Sequence, residues 1–213
     1  MLLIILLYAC YGFSQTLIGT VYDEVTKKPV ADANVYLDGT SIHTTTNANG
    51  QFALDVGKII NTQLIISHIA YNLYSIADPF NKLPDKIYLK EKSNILDEAV
   101  VITDKFTRKE KLKAFREQFL GTHKPGKSCK ILNEDDIKFH YNLKDNTFSA
   151  KSNKPIIVDN EYLGYKVYFT LLSFNVTFNQ YTLDNDKVKQ SAYYGTSQFI
   201  DLKPDDKKTI ERR

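Results

Sequence analysis

Residues 16–92 consist of short runs in which apolar and polar positions alternate, separated by turn-forming residues. An extended strand places every second side chain on the same face, so this alternation predicts strands with one buried face. Seven such runs at close spacing predict a small β-sandwich. The predicted strands are Leu17–Tyr22, Ala33–Leu37, Ile42–Thr46, Gln51–Val56, Gln63–His68, Tyr71–Ile76 and Lys86–Leu89.

The segment Asn47–Gly50 carries the strongest turn signal in this part of the chain. Asn49 and Gly50 both tolerate a positive φ, and an Asn-Gly pair between two strand-like runs is typical of a hairpin. The pattern therefore predicts that Ile42–Thr46 and Gln51–Val56 pair with each other.

The pattern changes after the charged stretch Lys90–Asn94, where we place a domain boundary. Leu96–Thr103 reads as one further strand. In Thr107–Leu120 the apolar residues then recur at helical spacing. Thr107 and Glu110 fit a capping box and Gly121 fits the C-terminal end, so this segment predicts a helix over about 107–120.

Residues 95–213 otherwise return to strand-like patterns, which makes the chain mainly β with a second β-rich domain after the helix. The charged segment 201–213 has no closing apolar element, so we expect either that a longer relative would continue past this point or that these residues fray. The predicted strands of this domain are Ile137–Tyr141, Thr147–Ala150, Ile156–Asp159, Lys166–Leu172, Phe174–Phe178 and Ser191–Phe199.

Residues 1–14 differ from the rest because Met1–Phe13 is uncharged and mostly apolar. The run is too short to span a bilayer and is typical of a signal peptide, with cleavage expected between Ser14 and Gln15. A buried N-terminal strand is the alternative. Cys10 closes a sequence loosely similar to a lipoprotein box, so acylation of that thiol is a second route to the envelope.

Net charge is +3 and the basic residues form no sustained stripe, which argues against a nucleic-acid partner. No histidine has a glutamate three residues on, so the zinc-peptidase pattern is absent and we expect no metal, cofactor or catalytic residue. Sequence proximity alone would link Cys129 to His123 or His140 as a nucleophile. Asp184–Asp186 and Asn133–Asp136 complete no calcium loop and are interpreted as turns, with a helix start near Asn133.

Aromatic residues are abundant in the second half of the chain. Exposed aromatic rings on a sheet can stack on sugars or help to hold an added peptide strand. Most of these rings are expected to fill the core. The candidate ligand contacts among them are Tyr162, Tyr165, Tyr193 and Tyr194.

An ordered motif links five short segments between Ile18 and Phe52. It runs from Ile18–Asp23 through Lys28–Val30, Ala33–Leu37 and Gly39-Thr40 to Thr44–Phe52. This motif resembles the carboxypeptidase-like regulatory domain, also called prealbumin-like, of exported and outer-membrane proteins of Gram-negative bacteria. The resemblance implies a non-catalytic, seven-stranded sandwich of transthyretin-like topology over about residues 16–92.

Residues 115–167 also resemble a region that follows this module in uncharacterised bacterial proteins, through Phe115–Gly121, Cys129–Asn133, Pro155–Asn160 and Leu163–Val167. That resemblance implies no activity.

The leading functional hypothesis is a non-enzymatic binding or accessory protein of the cell envelope, exported to the periplasm or the cell surface. Its expected partner is an envelope protein, a peptide or a glycan. Membrane association would come through a missing C-terminal part or a lipidated Cys10. Two alternatives are the periplasmic extension of a TonB-dependent receptor or transporter and an accessory protein of a separate carboxypeptidase.

Overall fold

The structure is a computed structural model that describes residues 15–92 and 104–211. The expected signal segment 1–14, with Cys10, and the predicted strand Leu96–Thr103 lie outside the described residues.

The first domain contains the seven predicted strands, arranged in two sheets. One sheet has the order β4-β1-β7, and the other has the order β3-β2-β5-β6. Side chains from both sheets, such as Val21 and Leu64, form one core, so the predicted sandwich is confirmed. Its elements are β1 Thr16–Asp23, β2 Asn34–Leu37, β3 His43–Thr45, β4 Gln51–Asp55, β5 Leu64–Ser67, β6 Tyr74–Ile76, the short helix α1 Pro79–Lys82, and β7 Lys86–Leu89.

The predicted hairpin between β3 and β4 is wrong. β3 pairs with β2 and β4 pairs with β1, so the segment Asn47–Gly50 carries the chain from one sheet to the other. Asn47 closes the turn, since its Oδ1 accepts the amides of Asn49 and Gln51 at 2.9 and 3.0 Å. Gly50 has φ +71°, and a Cβ at this position would lie 2.4 Å from the carbonyl oxygen of Val21. The turn chemistry was identified correctly, but it serves a corner between sheets.

The second domain is one antiparallel sheet with the strand order β8-β11-β12-β10-β9, and β13 pairs along β12. Single 3-10 turns occupy Glu134–Asp136 and Asn185–Lys187, so the helix start predicted near Asn133 is only a turn. The remaining elements are α2 Arg108–Phe119, α3 Lys124–Lys127, β8 Cys129–Ile131, β9 Ile137–Asn142, β10 Thr147–Ser152, β11 Ile156–Asn160, β12 Tyr165–Phe178, β13 Val188–Asp201 and α4 Lys207–Ile210.

The register shows that this sheet is a meander of four long rows. Ile131 lies opposite Val158 and Ile137 lies opposite Ser152, so the row of β8 and β9 pairs with the row of β10 and β11 in one register on both sides of the 3-10 turn. β12 and β13 are unbroken strands of 14 residues. The two strands predicted at 166–172 and 174–178 are a single strand, in which Leu172 is a bulge.

Helix α2 covers one face of this sheet, and its prediction is confirmed. The capping box of Thr107 and Glu110 is formed, and Gly121 follows the helix with φ +81°. Phe115 is fully buried and contacts the rings of Phe139 and Phe174. The helix is therefore fixed to the sheet by aromatic side chains.

Candidate functional site

A groove of about 660 Å³ lies between helix α2 and the edge strand β8, which we call the α2–β8 groove. Gly126 and Lys127 of α3 also line it. Gly126 lets α3 approach closely, because a Cβ there would lie 2.1 Å from the carbonyl oxygen of Leu120. The volume is within the range of about 300–1,000 Å³ that is usual for ligand sites. Apolar residues in its lining include Leu120, Ile131 and Leu132.

Cys129 lines this groove, and its thiol is half-buried. Its Sγ donates to the carbonyl oxygen of Pro125 at 3.3 Å. Burial and the nearby Asp159 carboxylate raise the pKa of the Cys129 thiol. A raised pKa keeps the thiol protonated at neutral pH, whereas a nucleophilic cysteine needs a lowered one. No histidine lies among the described residues that line the groove.

The rim of the groove is basic. Lys113, Lys127 and Lys130 all line it, and all three are exposed. The two carboxylates of the rim are engaged: Glu134 forms an ion pair with Arg116, and Glu117 accepts a hydrogen bond from Asn185 at 3.1 Å. The groove therefore offers a net positive charge to a ligand.

The four candidate aromatic residues lie in separate places. Tyr193 lies on the face covered by α2 and contacts the rings of Phe119 and Phe174, so it caps the core. Tyr194, on the opposite face, is 64% exposed. Tyr165 contacts the Phe199 ring at the far end of β13.

Tyr162 lies in the turn between β11 and β12, where the Lys124 ammonium is 5.6 Å from its ring centroid. The adjacent residue, Glu161, is 3.9 Å from Lys130 on the groove rim. Of the four candidate aromatics, Tyr162 is thus placed near one end of the α2–β8 groove, by its own contact with Lys124 and by the ion pair of its neighbour Glu161. It does not itself line the groove.

The acidic segments considered for calcium form local turns. Asp184 accepts the amide of Asp186 at 3.1 Å and caps the following 3-10 turn. Asp136 accepts hydrogen bonds from Lys154 at 2.9 Å and from Asn133 at 3.0 Å. Across residues 15–92 and 104–211, no group of three or more His, Cys, Asp or Glu side chains is arranged to hold a metal ion.

The two domains are joined by a polar contact that we call the interdomain seam, formed by Asn34, Tyr36 and residues 38–40 against residues 196–199. The Tyr36 hydroxyl and the Thr196 hydroxyl are 2.8 Å apart, and the Asn34 side chain donates to Gln198 at 2.5 Å. The backbone contributes as well, since the amide of Phe199 donates to the Thr40 carbonyl at 2.8 Å.

Burial shows how far the second domain covers the first. Val35 belongs to the sandwich core, and its neighbour Tyr36 points to the opposite face, as does Ile65 across the pair. Tyr36 is only 2% exposed and Ile65 is 0% exposed. Burial raises the pKa of Tyr36, as expected for a phenol taken out of water.

Sequence reasoning missed this second buried face, although a signal was present. Leu64–Ile66 is an uninterrupted apolar run, and such runs indicate a strand that is buried on both faces. The polar partners Thr196 and Gln198 carry no comparable signal, because an isolated strand would expose them.

These features define the class of the protein: a mainly β, two-domain chain in which a small sandwich packs against a longer sheet. Residues 17–101 match the CarboxypepD_reg-like domain, so the N-terminal sandwich is a carboxypeptidase-like regulatory domain. This match covers less than half of the 213-residue chain. The domain family is non-catalytic and of the accessory or binding kind. No curated protein and no solved structure matches the chain.

Within the described residues, no helix is long and apolar enough to cross a membrane.

Proposed function

We propose that this protein is a non-enzymatic binding or accessory protein of the bacterial cell envelope. In this proposal the regulatory-type sandwich is a fixed support, and the second domain carries the binding surface, the α2–β8 groove.

The groove is the observation that carries the proposal. It combines an apolar lining with a basic rim, which suits binding of a partner. Burial and the Asp159 carboxylate raise the pKa of its thiol, Cys129, whereas a catalytic cysteine needs a lowered one. The groove thus has the features of a binding surface, and it lies on the domain whose role the family match leaves open.

The interdomain seam supports the role given to the sandwich. A tethered module would keep Tyr36 and Ile65 in water, whereas here both are buried against the second domain. The hydrogen-bonded side-chain pairs across the seam fix the orientation of the two domains and add contact area between them. These contacts support the role given to the sandwich, because they hold the sheet of the second domain, which borders the groove, in one position relative to the sandwich.

The envelope address rests on the sequence of residues 1–14. We expect signal peptidase to release a mature chain that begins at Gln15. Fractionation of the native host followed by intact-mass measurement tests this address. A periplasmic or surface chain with that mass supports the proposal, a lipid adduct on Cys10 would change the mode of anchoring, and an unprocessed cytoplasmic chain would contradict the proposal.

The binding role is tested by site-specific photocrosslinking in intact cells of the host. A photoreactive residue at Lys127, on the groove rim, should give a discrete crosslinked species. The matched control carries the same group at Lys58, an exposed lysine of the sandwich. Equal crosslinking at both positions, or none at Lys127, would contradict binding through the groove. Robust peptide hydrolysis by the purified chain would contradict the non-enzymatic part.

A further inference from the structure

We propose that the α2–β8 groove binds an extended acidic peptide, which adds as a strand to the outer edge of β8. This inference rests on the proposed binding role and names the class of ligand.

The outer edge of β8 is the backbone surface that the peptide would join. β8 is the last strand on its side of the sheet and pairs only with β11 among the described strands. The amide of Leu132 donates to the carbonyl of Ile157 at 2.8 Å and so points toward β11, while the amide of Ile157 donates to the Asn133 side chain at 2.8 Å. Antiparallel pairs alternate, so the amide and carbonyl of Ile131 and of Cys129 point away from β11.

The edge of β8 borders the α2–β8 groove. Cys129 and Ile131 of β8 line the same groove as Arg116, which lies on α2, and Leu120, which lies at the C-terminal end of α2. A peptide lying between an edge strand and a helix gains main-chain hydrogen bonds from the strand, while its alternate side chains reach the groove. Leu132, 52% exposed, offers apolar contact at the end of the strand.

The lysines around the groove favour an acidic ligand. Lys113 and Lys130 have side chains 77% and 73% exposed, and their nearest carboxylate contacts are both 3.9 Å long. Such exposed pairs contribute little by themselves, so these ammonium groups are available to a ligand carboxylate. Lys127 adds a third exposed cation beside them. Acidic side chains on the peptide would therefore be favoured over basic ones.

The residues that line the groove favour a peptide over a sugar as the ligand. Exposed aromatic rings can stack on sugars, and no aromatic residue is among the described residues that line this groove. The exposed ring of Tyr194 lies on the opposite face of the sheet from α2. A peptide that uses backbone hydrogen bonds fits the observed lining better.

The experiment uses the full chain and a library of random eight-residue peptides on beads. Enriched peptides should carry an excess of Asp and Glu at alternate positions. The double variant K127E/K130E should lower their affinity at least tenfold. The matched control is the double variant K138E/K144E, which makes the same charge change at two exposed lysines of the second domain that do not line the groove.

Backbone participation is tested on one enriched peptide. N-methylation of alternate residues should abolish binding in one register and leave it intact in the other, because only one set of amides faces β8. Amide NMR signals of Cys129 and Ile131 should shift on binding.

A library without binders, binders without an acidic excess, or indifference to N-methylation would each overturn the inference. The photocrosslinking test does not depend on ligand chemistry, so a crosslink at Lys127 without acidic peptide binding would leave the binding role standing and remove only the ligand class.

Discussion

The two domains fill their hydrophobic cores with different side chains. The sandwich core is mainly aliphatic, with residues such as Val35, Leu64 and Ile66, and Phe52 is its fully enclosed aromatic ring. The core of the second domain is largely aromatic and includes Phe115, Tyr141, Phe148, Phe174 and Phe178.

The geometry explains this difference. Two facing sheets lie about 10 Å apart, a gap that interdigitating branched side chains fill. In the second domain a single helix of 12 residues covers a sheet whose long strands have 14. Larger rings fill the wider space beside the helix and bury more area for each residue. Stability in the second domain therefore depends on fewer and larger contacts, and the groove is bounded by the helix that these contacts hold.

Removing one central ring should have the largest effect. Phe115→Ala should lower the free energy of unfolding by about 3–5 kcal/mol, because it leaves a cavity between Phe119 of the helix and the sheet rings Phe139 and Phe174. Denaturant unfolding measures this loss. The aliphatic comparison is Leu64→Ala, which should cost about 2–5 kcal/mol and leave α2 docked. A loss below about 1 kcal/mol for Phe115→Ala would contradict the account of the aromatic core.

The corner between the two sheets of the sandwich should give an intermediate effect. Gly50→Ala should cost about 1–3 kcal/mol, since Ala is strained at positive φ and its Cβ would meet the backbone of Val21. Gly57→Ala is the matched control, because Gly57 has φ +68° with nothing within 4 Å of the added Cβ. Equal losses of unfolding free energy would show that backbone approach at the corner adds nothing.

Acidification should give the smallest effect and should act on both domains. Backbone and side-chain hydrogen bonds lower the pKa of Asp23 in the sandwich and of Glu110 in the capping box, and the Lys154 contact lowers that of Asp136. A lowered folded-state pKa means that the stabilisation is present above the ordinary carboxyl pKa of about 4 and is lost as pH falls through the folded value.

Thermal unfolding of Asp23→Asn and Glu110→Gln from pH 7 to pH 2 measures this effect. Each variant should lose less stability on acidification than the unsubstituted chain, because one titrating group is gone. A steeper loss in either variant would contradict the assigned direction of the pKa shift.

Local patterns predicted most of the strands but not how they associate. Alternation located β1 to β7, and the capping box located α2, because both signals lie within a few residues of the chain. The partner of β3 could not be predicted in this way, since Asn47–Gly50 suits a hairpin and a corner equally. Burial of both faces of β5 was not predicted, although the apolar run Leu64–Ile66 is typical of such a strand, and no local pattern shows what covers its second face.

The α2–β8 groove was beyond local reasoning for a similar reason. Its walls come from a helix, a four-residue turn of helix and a three-residue strand, and β8 is too short to show a period. Only the packing of α3 against the end of α2, which Gly126 permits, brings these pieces together.

The central claim is that the sandwich is a fixed support docked on the second domain, and amide hydrogen exchange across the interdomain seam tests it most directly. The amides of Gly39, Ser197 and Phe199 donate across the seam to Ser197, Asp38 and Thr40, respectively. The account predicts that all three exchange slowly in the intact chain, with similar protection. Exchange at the rate of an unprotected chain at these three amides, while the core strands β2 and β12 stay protected, would show that the domains are only tethered.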